Sequence, residues 1–127
     1  MLAKQTQSAS CTLVWSPSGQ GMGYVTQSGL NLYLSDPNSD AETYLVIAKG
    51  RFTELGWSPD GRYFNARRAD GQWFVFVIER LRALRVFEAA ASSLEWISND
   101  QLLYVPEQGG LVLVYMGNVP TRVILAG

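Results

Sequence analysis

Histidine is absent from the 127 residues, and cysteine occurs once, as Cys11. Those two shortages remove Ser-His-Asp and Cys-His nucleophilic catalysis, His-rich metal sites and intrachain disulfides. Charge is scarce as well: charged residues make up 17%, and ten Lys and Arg against eleven Asp and Glu leave a net charge of −1. Such a chain has no basic field to offer a phosphate backbone, so no nucleic-acid partner is expected. Long apolar runs are also missing. The longest, Trp73 to Ile78 and Leu111 to Met116, have strand length and fall far short of the roughly 20 residues of a spanning helix, so membrane insertion is not expected. The opening Met1-Leu2-Ala3-Lys4-Gln5 carries one cation with no apolar run behind it, unlike a secretory signal. As written, the chain reads as cytoplasmic. The lone thiol decides little, since it suits a reducing compartment and also an extracellular protein that needs no bridge.

What is plentiful is apolar surface. Hydrophobic residues reach 47%, which with so little charge excludes disorder and calls for burial. The length suits a single domain over residues 1–127. Its organisation comes from an internal repeat. Trp15-Ser16-Pro17-Ser18-Gly19 returns 42 residues later as Trp57-Ser58-Pro59-Asp60-Gly61, and after 39 more, degraded, as Trp96-Ile97-Ser98-Asn99-Asp100. Each Trp has Leu two residues before it (Leu13, Leu55, Leu94) and Gly fourteen after it (Gly29, Gly71, Gly110).

Within a copy the residues read as four short strands. In the second, Phe52 to Trp57 is followed by a turn at Pro59-Asp60-Gly61, where proline presets φ and glycine accepts a positive one. Arg62 to Arg68, Gln72 to Ile78 and Ala83 to Phe87 supply the rest, with Asp70-Gly71 as a hairpin signal. The first copy gives Met22 to Gln27, Asn31 to Ser35 and Tyr44 to Ala48. The third gives Gln101 to Val105, Leu111 to Met116 and Thr121 to Leu125. Residues seven after the Trp (Met22, Phe64, Leu103) and seventeen after it (Leu32, Phe74, Leu113) are expected to share the stacking faces. Ile78 to Ser92 has helical local propensity, but the repeat requires a turn and an outer strand there, and agreement across copies favours the strand.

Four-stranded units of about 40 residues fit the blades of a β-propeller. The runs W-S-P-S-G at Trp15 to Gly19 and W-S-P-D-G-R-Y at Trp57 to Tyr63 resemble the WD-like propeller repeat of the TolB-type family, which is often extracytoplasmic. The resemblance implies an all-β chain with blades at about 11–48, 52–88 and 93–127. It does not fix a function, because the repeat occurs in scaffold proteins, peptidase accessory domains and sugar or polymer binders. Three blades fall below the about four needed to close a ring. The chain starts and stops at one phase of the repeat, Met1-Leu2-Ala3-Lys4 echoing Val46 to Gly50, so both terminal blades present apolar faces. A homodimer would give a closed six-bladed ring, three copies would give nine blades, and the remainder of a larger propeller would cover the same faces.

Candidate sites are few. Arg51, Arg67 and Asp70, with Trp73 as a stacking surface, are placed at one end of the central channel, where propellers usually bind ligands. Arg67 and Arg68 also suit an outward-facing charged alternation. Asp36, Asn38 and Asp40 have the alternate oxygens of a calcium loop, but Ala41 stands where glycine is needed and Ile47 where glutamate is needed, and a solvated turn explains them better. Arg80, Arg82 and Arg85 read as a solvated edge that discourages sheet addition. Trp15, Trp57 and Trp96 are at the repeat phase and are expected in the core. No cation lies near Cys11 to lower its pKa. Asp60, Asp70, Asp100 and Glu107 all fall in turns without a spacing that pairs two carboxylates in one cleft. The expectation is a non-catalytic interaction scaffold that binds no cofactor. A carbohydrate or small-ligand binder is the alternative, and a hydrolase is the third reading.

Overall fold

The computed structural model describes residues 12–127. Cys11 and the Met1 to Lys4 echo lie outside them. Eleven strands follow one another: β1 (Leu13–Trp15), β2 (Gly21–Thr26), β3 (Gly29–Ser35), β4 (Glu42–Ala48), β5 (Phe52–Trp57), β6 (Tyr63–Arg68), β7 (Gln72–Glu79), β8 (Arg82–Trp96), β9 (Gln101–Pro106), β10 (Leu111–Tyr115) and β11 (Thr121–Ala126). There is no helix among the described residues, so the stretch after Ile78 is strand despite its Leu, Arg and Ala content. β1 to β4 form an antiparallel meander, and β5 to β11 form a seven-stranded sheet in chain order.

The repeated Trp-Ser-Pro turn has a clear local cause. Ser58 accepts the Gly61 N–H on its carbonyl (2.9 Å) and the Tyr63 N–H on its hydroxyl (3.0 Å), while Asp60 accepts the Arg62 N–H (3.0 Å). Gly61 takes φ +76°, a left-handed value that a side chain resists. Ser16 does the same for Gly19 (2.9 Å) and Gly21 (3.2 Å). Both serines are buried, so the serine of the repeat is a hydrogen-bonding clamp inside the turn.

One expected break is missing. β8 runs unbroken from Arg82 to Trp96, where a connection was expected between the second and third copies. Its first half pairs with β7 as far as Ala90, and its second half pairs with β9 from Ala91 onward. Ala89, Ala90, Ala91, Ser92 and Ser93 include no Gly or Pro to interrupt it. The seven-stranded sheet is thus two four-stranded units sharing β8, and the described residues hold three such units.

The stacking faces also differ from the count along the sequence. Trp15 pairs with Met22 and Trp57 with Phe64, but Trp96 pairs with Leu102. The degraded third turn is one residue shorter, and a one-residue slip sends a side chain to the opposite face. Leu102, not Leu103, is therefore the equivalent of Met22 and Phe64. In the next strand Leu32 pairs with Gly23, Val75 with Asn65 and Leu113 with Leu103, so Val75 replaces Phe74 in that set.

These faces build two cores. Leu30, Leu32 and Leu34 of the first unit pack with Phe52, Phe64, Ala66, Phe74 and Phe76 of the second. On the other side of the second unit, Tyr63, Trp73, Val75 and Val77 pack with Leu102, Tyr104, Val112, Val114 and Met116 of the third.

Candidate functional site

Each internal seam is fixed by the repeat tryptophan of the later unit. Trp57 donates its indole N–H to the Val14 carbonyl (3.2 Å) and lies against Phe64 (centroids 4.8 Å apart). Phe64 in turn occupies the space above Gly23, where an added Cβ would overlap its ring. Trp96 donates to the Asn65 side-chain oxygen (2.7 Å) and stacks on Tyr63 (5.4 Å, 20°). Tyr63 donates its hydroxyl to the Met116 carbonyl (2.9 Å), and burial pushes that phenol above its ordinary pKa.

Trp15 holds the same position in the first unit, and no earlier unit stands against it among the described residues. It is 52% exposed, edge-on to Tyr33 at 6.4 Å, and Tyr33 contacts Tyr44 at 5.0 Å. Pairing places Leu13, Trp15, Met22, Tyr24, Tyr33 and Tyr44 on one open face. Core placement, expected for all three repeat tryptophans, fails for Trp15, and Trp57 and Trp96 are half-buried seam residues. The third unit has the opposite open face: Leu103, Leu113 and Val123 lie abreast on β9, β10 and β11, beside Leu111 and Tyr115. These two apolar sheet faces are the candidate site, together with a polar end formed by the β6–β7 turn.

At that end Arg67 pairs loosely with Glu54 (3.7 Å), its direct neighbour across the strands, and the buried Nε of Arg67 has no partner among the described residues. Asp70 is bound to Arg68 (2.9 Å) and accepts the Gln72 N–H (3.1 Å). The guanidinium, and then the amide, hold its carboxyl below the ordinary range. Gly71, at φ +96°, leaves room that the Glu107 carboxylate fills. Arg51 is exposed nearby, its carbonyl taking the Ala69 N–H (2.8 Å). Trp73 is 3% exposed and gives its N–H to the Ala91 carbonyl (3.1 Å), so its ring is walled into the second core. Arg51, Arg67 and Asp70 therefore share one end of the sheet, whereas Trp73, the cross-strand partner of Arg67, is enclosed in the second core. Glu54 and Glu107 join them. Glu54 was readable from strand register, and Glu107 only from the close approach at Gly71.

Asp36 is spent on structure. It accepts the Asn38 N–H (2.9 Å) and pairs with Arg80 of the second unit (3.3 Å), and these lower its pKa in that order. The Asp36 carboxylate is thus already taken by a backbone amide and an arginine, and no group of three or more metal-binding side chains converges among the described residues. Arg82 and Arg85 pair with Glu79 and Glu88. Among the described residues no helix is long and apolar enough to cross a membrane.

No family model matches the chain, and no curated protein does. Solved structures match it. The β-propeller domain of Myceliophteria thermophila Cps50 (Swd1) is 19% identical, with a TM-score of 0.55 over 95% of this chain and 38% of that one. This is a WD-like propeller fold. The C-terminal WD40 domain of Sif2 is 14% identical, with a TM-score of 0.63 over 95% and 36%. A putative 6-phosphogluconolactonase from Bacteroides uniformis is 12% identical, with a TM-score of 0.58 over 88% and 38%. The chain spans less than half the length of these propellers, so it is a partial one.

Proposed function

We propose that the three units are blades of a TolB-like propeller and that the chain is a non-catalytic interaction scaffold which completes its ring by self-association. One observation carries this reading. Two equivalent tryptophans, Trp57 and Trp96, each donate to a neighbouring unit, whereas Trp15 stands 52% exposed on an aromatic face, and soluble proteins seldom leave such faces bare. A homodimer is preferred because it gives six blades with closed symmetry. Light scattering after size exclusion, over a hundredfold dilution, tests it. Twice 14.1 kDa is expected, and a monodisperse species of 14.1 kDa overturns self-association and leaves further blades of a longer polypeptide to cover the faces.

A second reading rests on the unpaired Arg67 Nε. In it, the end bearing Arg51, Arg67 and Asp70, backed by Trp73, takes a small polar ligand such as a sugar or an anion in the assembled channel. Thermal shift against a sugar and anion panel should then raise the melting temperature with ligand concentration, and Arg67→Ala should abolish the response without changing the mass. The lactonase name belongs to a neighbour of 12% identity. It carries no catalytic residue to this chain, and no enzyme activity is proposed.

A further inference from the structure

The two internal seams are a template for the third, and this inference rests on the self-association proposed above while naming the faces and the register. We infer that the open face of the first unit receives the open face of the third unit of a second copy, with Trp15 in the seam position of Trp57 and Trp96, and Met22 seated on the partner's Leu103. The equivalences come from pairing. Met22, Phe64 and Leu102 lie opposite the three tryptophans, and Gly23, Asn65 and Leu103 are the next residues along the same strands, pointing to the other face. Inside the chain Phe64 fills the space above Gly23. The largest side chain thus meets the smallest, and at the closing seam two apolar side chains of middle size, Met22 and Leu103, face each other. A thioether side chain adapts to such an irregular gap.

The hydrogen bond follows the same logic. Leu103 lacks the acceptor that Asn65 gives to Trp96, so Trp15 uses a backbone carbonyl as Trp57 does, and the equivalent of Val14 is Glu95. Chemistry also separates this face from the permanent seams. Positions held by Phe76 and Val114 inside the chain carry Tyr33 here, and those held by Phe74 and Val112 carry Asn31. Tyr and Trp, apolar rings with a polar tip, suit a surface that meets water before it meets a partner. Its counterpart is mainly aliphatic, Leu103, Leu111, Leu113 and Val123, with Tyr115 at its margin.

The test uses the full chain with Cys11→Ser, carrying either Met22→Cys or Leu103→Cys. Under mild oxidation the mixture of the two should cross-link to a band of twice the mass, and neither alone should. Cross-linking of Met22→Cys by itself means that like faces meet and overturns the inference. A species of twice 14.1 kDa without any cross-link overturns this register while self-association stands. A monomer removes both. Trp15→Phe keeps the ring and deletes the N–H. Because a twofold ring contains the seam twice, loss of one ordinary hydrogen bond per seam should weaken dimerisation by about 30-fold; an unchanged constant contradicts the placement of Trp15.

Discussion

Gly23 shows how one missing atom positions two units. Its backbone is not in the left-handed region, so its role is space: a Cβ would overlap the Phe64 ring. Gly23→Ala should therefore cost about 1–3 kcal/mol through overpacking, seen as a lower denaturant midpoint with an unchanged slope. Tyr63 works by contact and hydrogen bond. Tyr63→Phe leaves the Met116 carbonyl without its phenol donor, at about 1–3 kcal/mol. The pH dependence has a definite sign. Burial first, with the Asp100 and Asp60 charges adding to it, raises the folded pKa of Tyr63 above 10.0. Its contribution is thus complete below the unfolded value of about 10 and is lost as pH rises through the folded one. Urea titrations across the alkaline range should show stability falling, and the fall should be smaller in Tyr63→Phe.

At the scale of elements, β8 joins what the repeat separates. Ala91 is fully buried, donates its N–H to Gly71 (3.2 Å) and accepts from Trp73. Ala91→Pro should remove that donor and break the strand, costing about 3 kcal/mol or more, with loss of near-ultraviolet circular dichroism from the second core. Ala91→Val would instead keep the pairing and test packing alone. Strand positions were legible because the turns carry their own chemistry: the Ser58 clamp and the positive φ of Gly61 are written in Trp-Ser-Pro-Asp-Gly. The face of Leu103 was not. Counting from Trp96 assumes a turn of fixed length, and the third turn is one residue shorter, which only pairing reveals. That Trp73, a candidate stacking surface, is enclosed was hidden for a related reason, since its burial depends on strands of the third unit.

For the whole molecule, assembly and stability are coupled if the open faces meet. Anything that binds only the folded state raises its apparent stability by mass action, so the melting temperature should climb with protein concentration. A midpoint constant over a hundredfold range would indicate a chain stable without a partner. Trp15→Asp should place an unpaired charge in that seam, abolish the concentration dependence and leave the two internal cores folded.

By itself the sequence determined an all-β chain of three repeated units, the places of their turns, and the absence of histidine from any chemistry it performs. Those are local properties: strand alternation, turn residues and composition need no distant neighbour. Only the tertiary structure decided which face each side chain joins, that Trp57 and Trp96 close seams while Trp15 stays half-exposed, and that Arg67 meets Glu54 as Asp36 meets Arg80. Pairing register and packing between units set those outcomes, and both depend on residues far apart along the chain, whose approach no single repeat encodes.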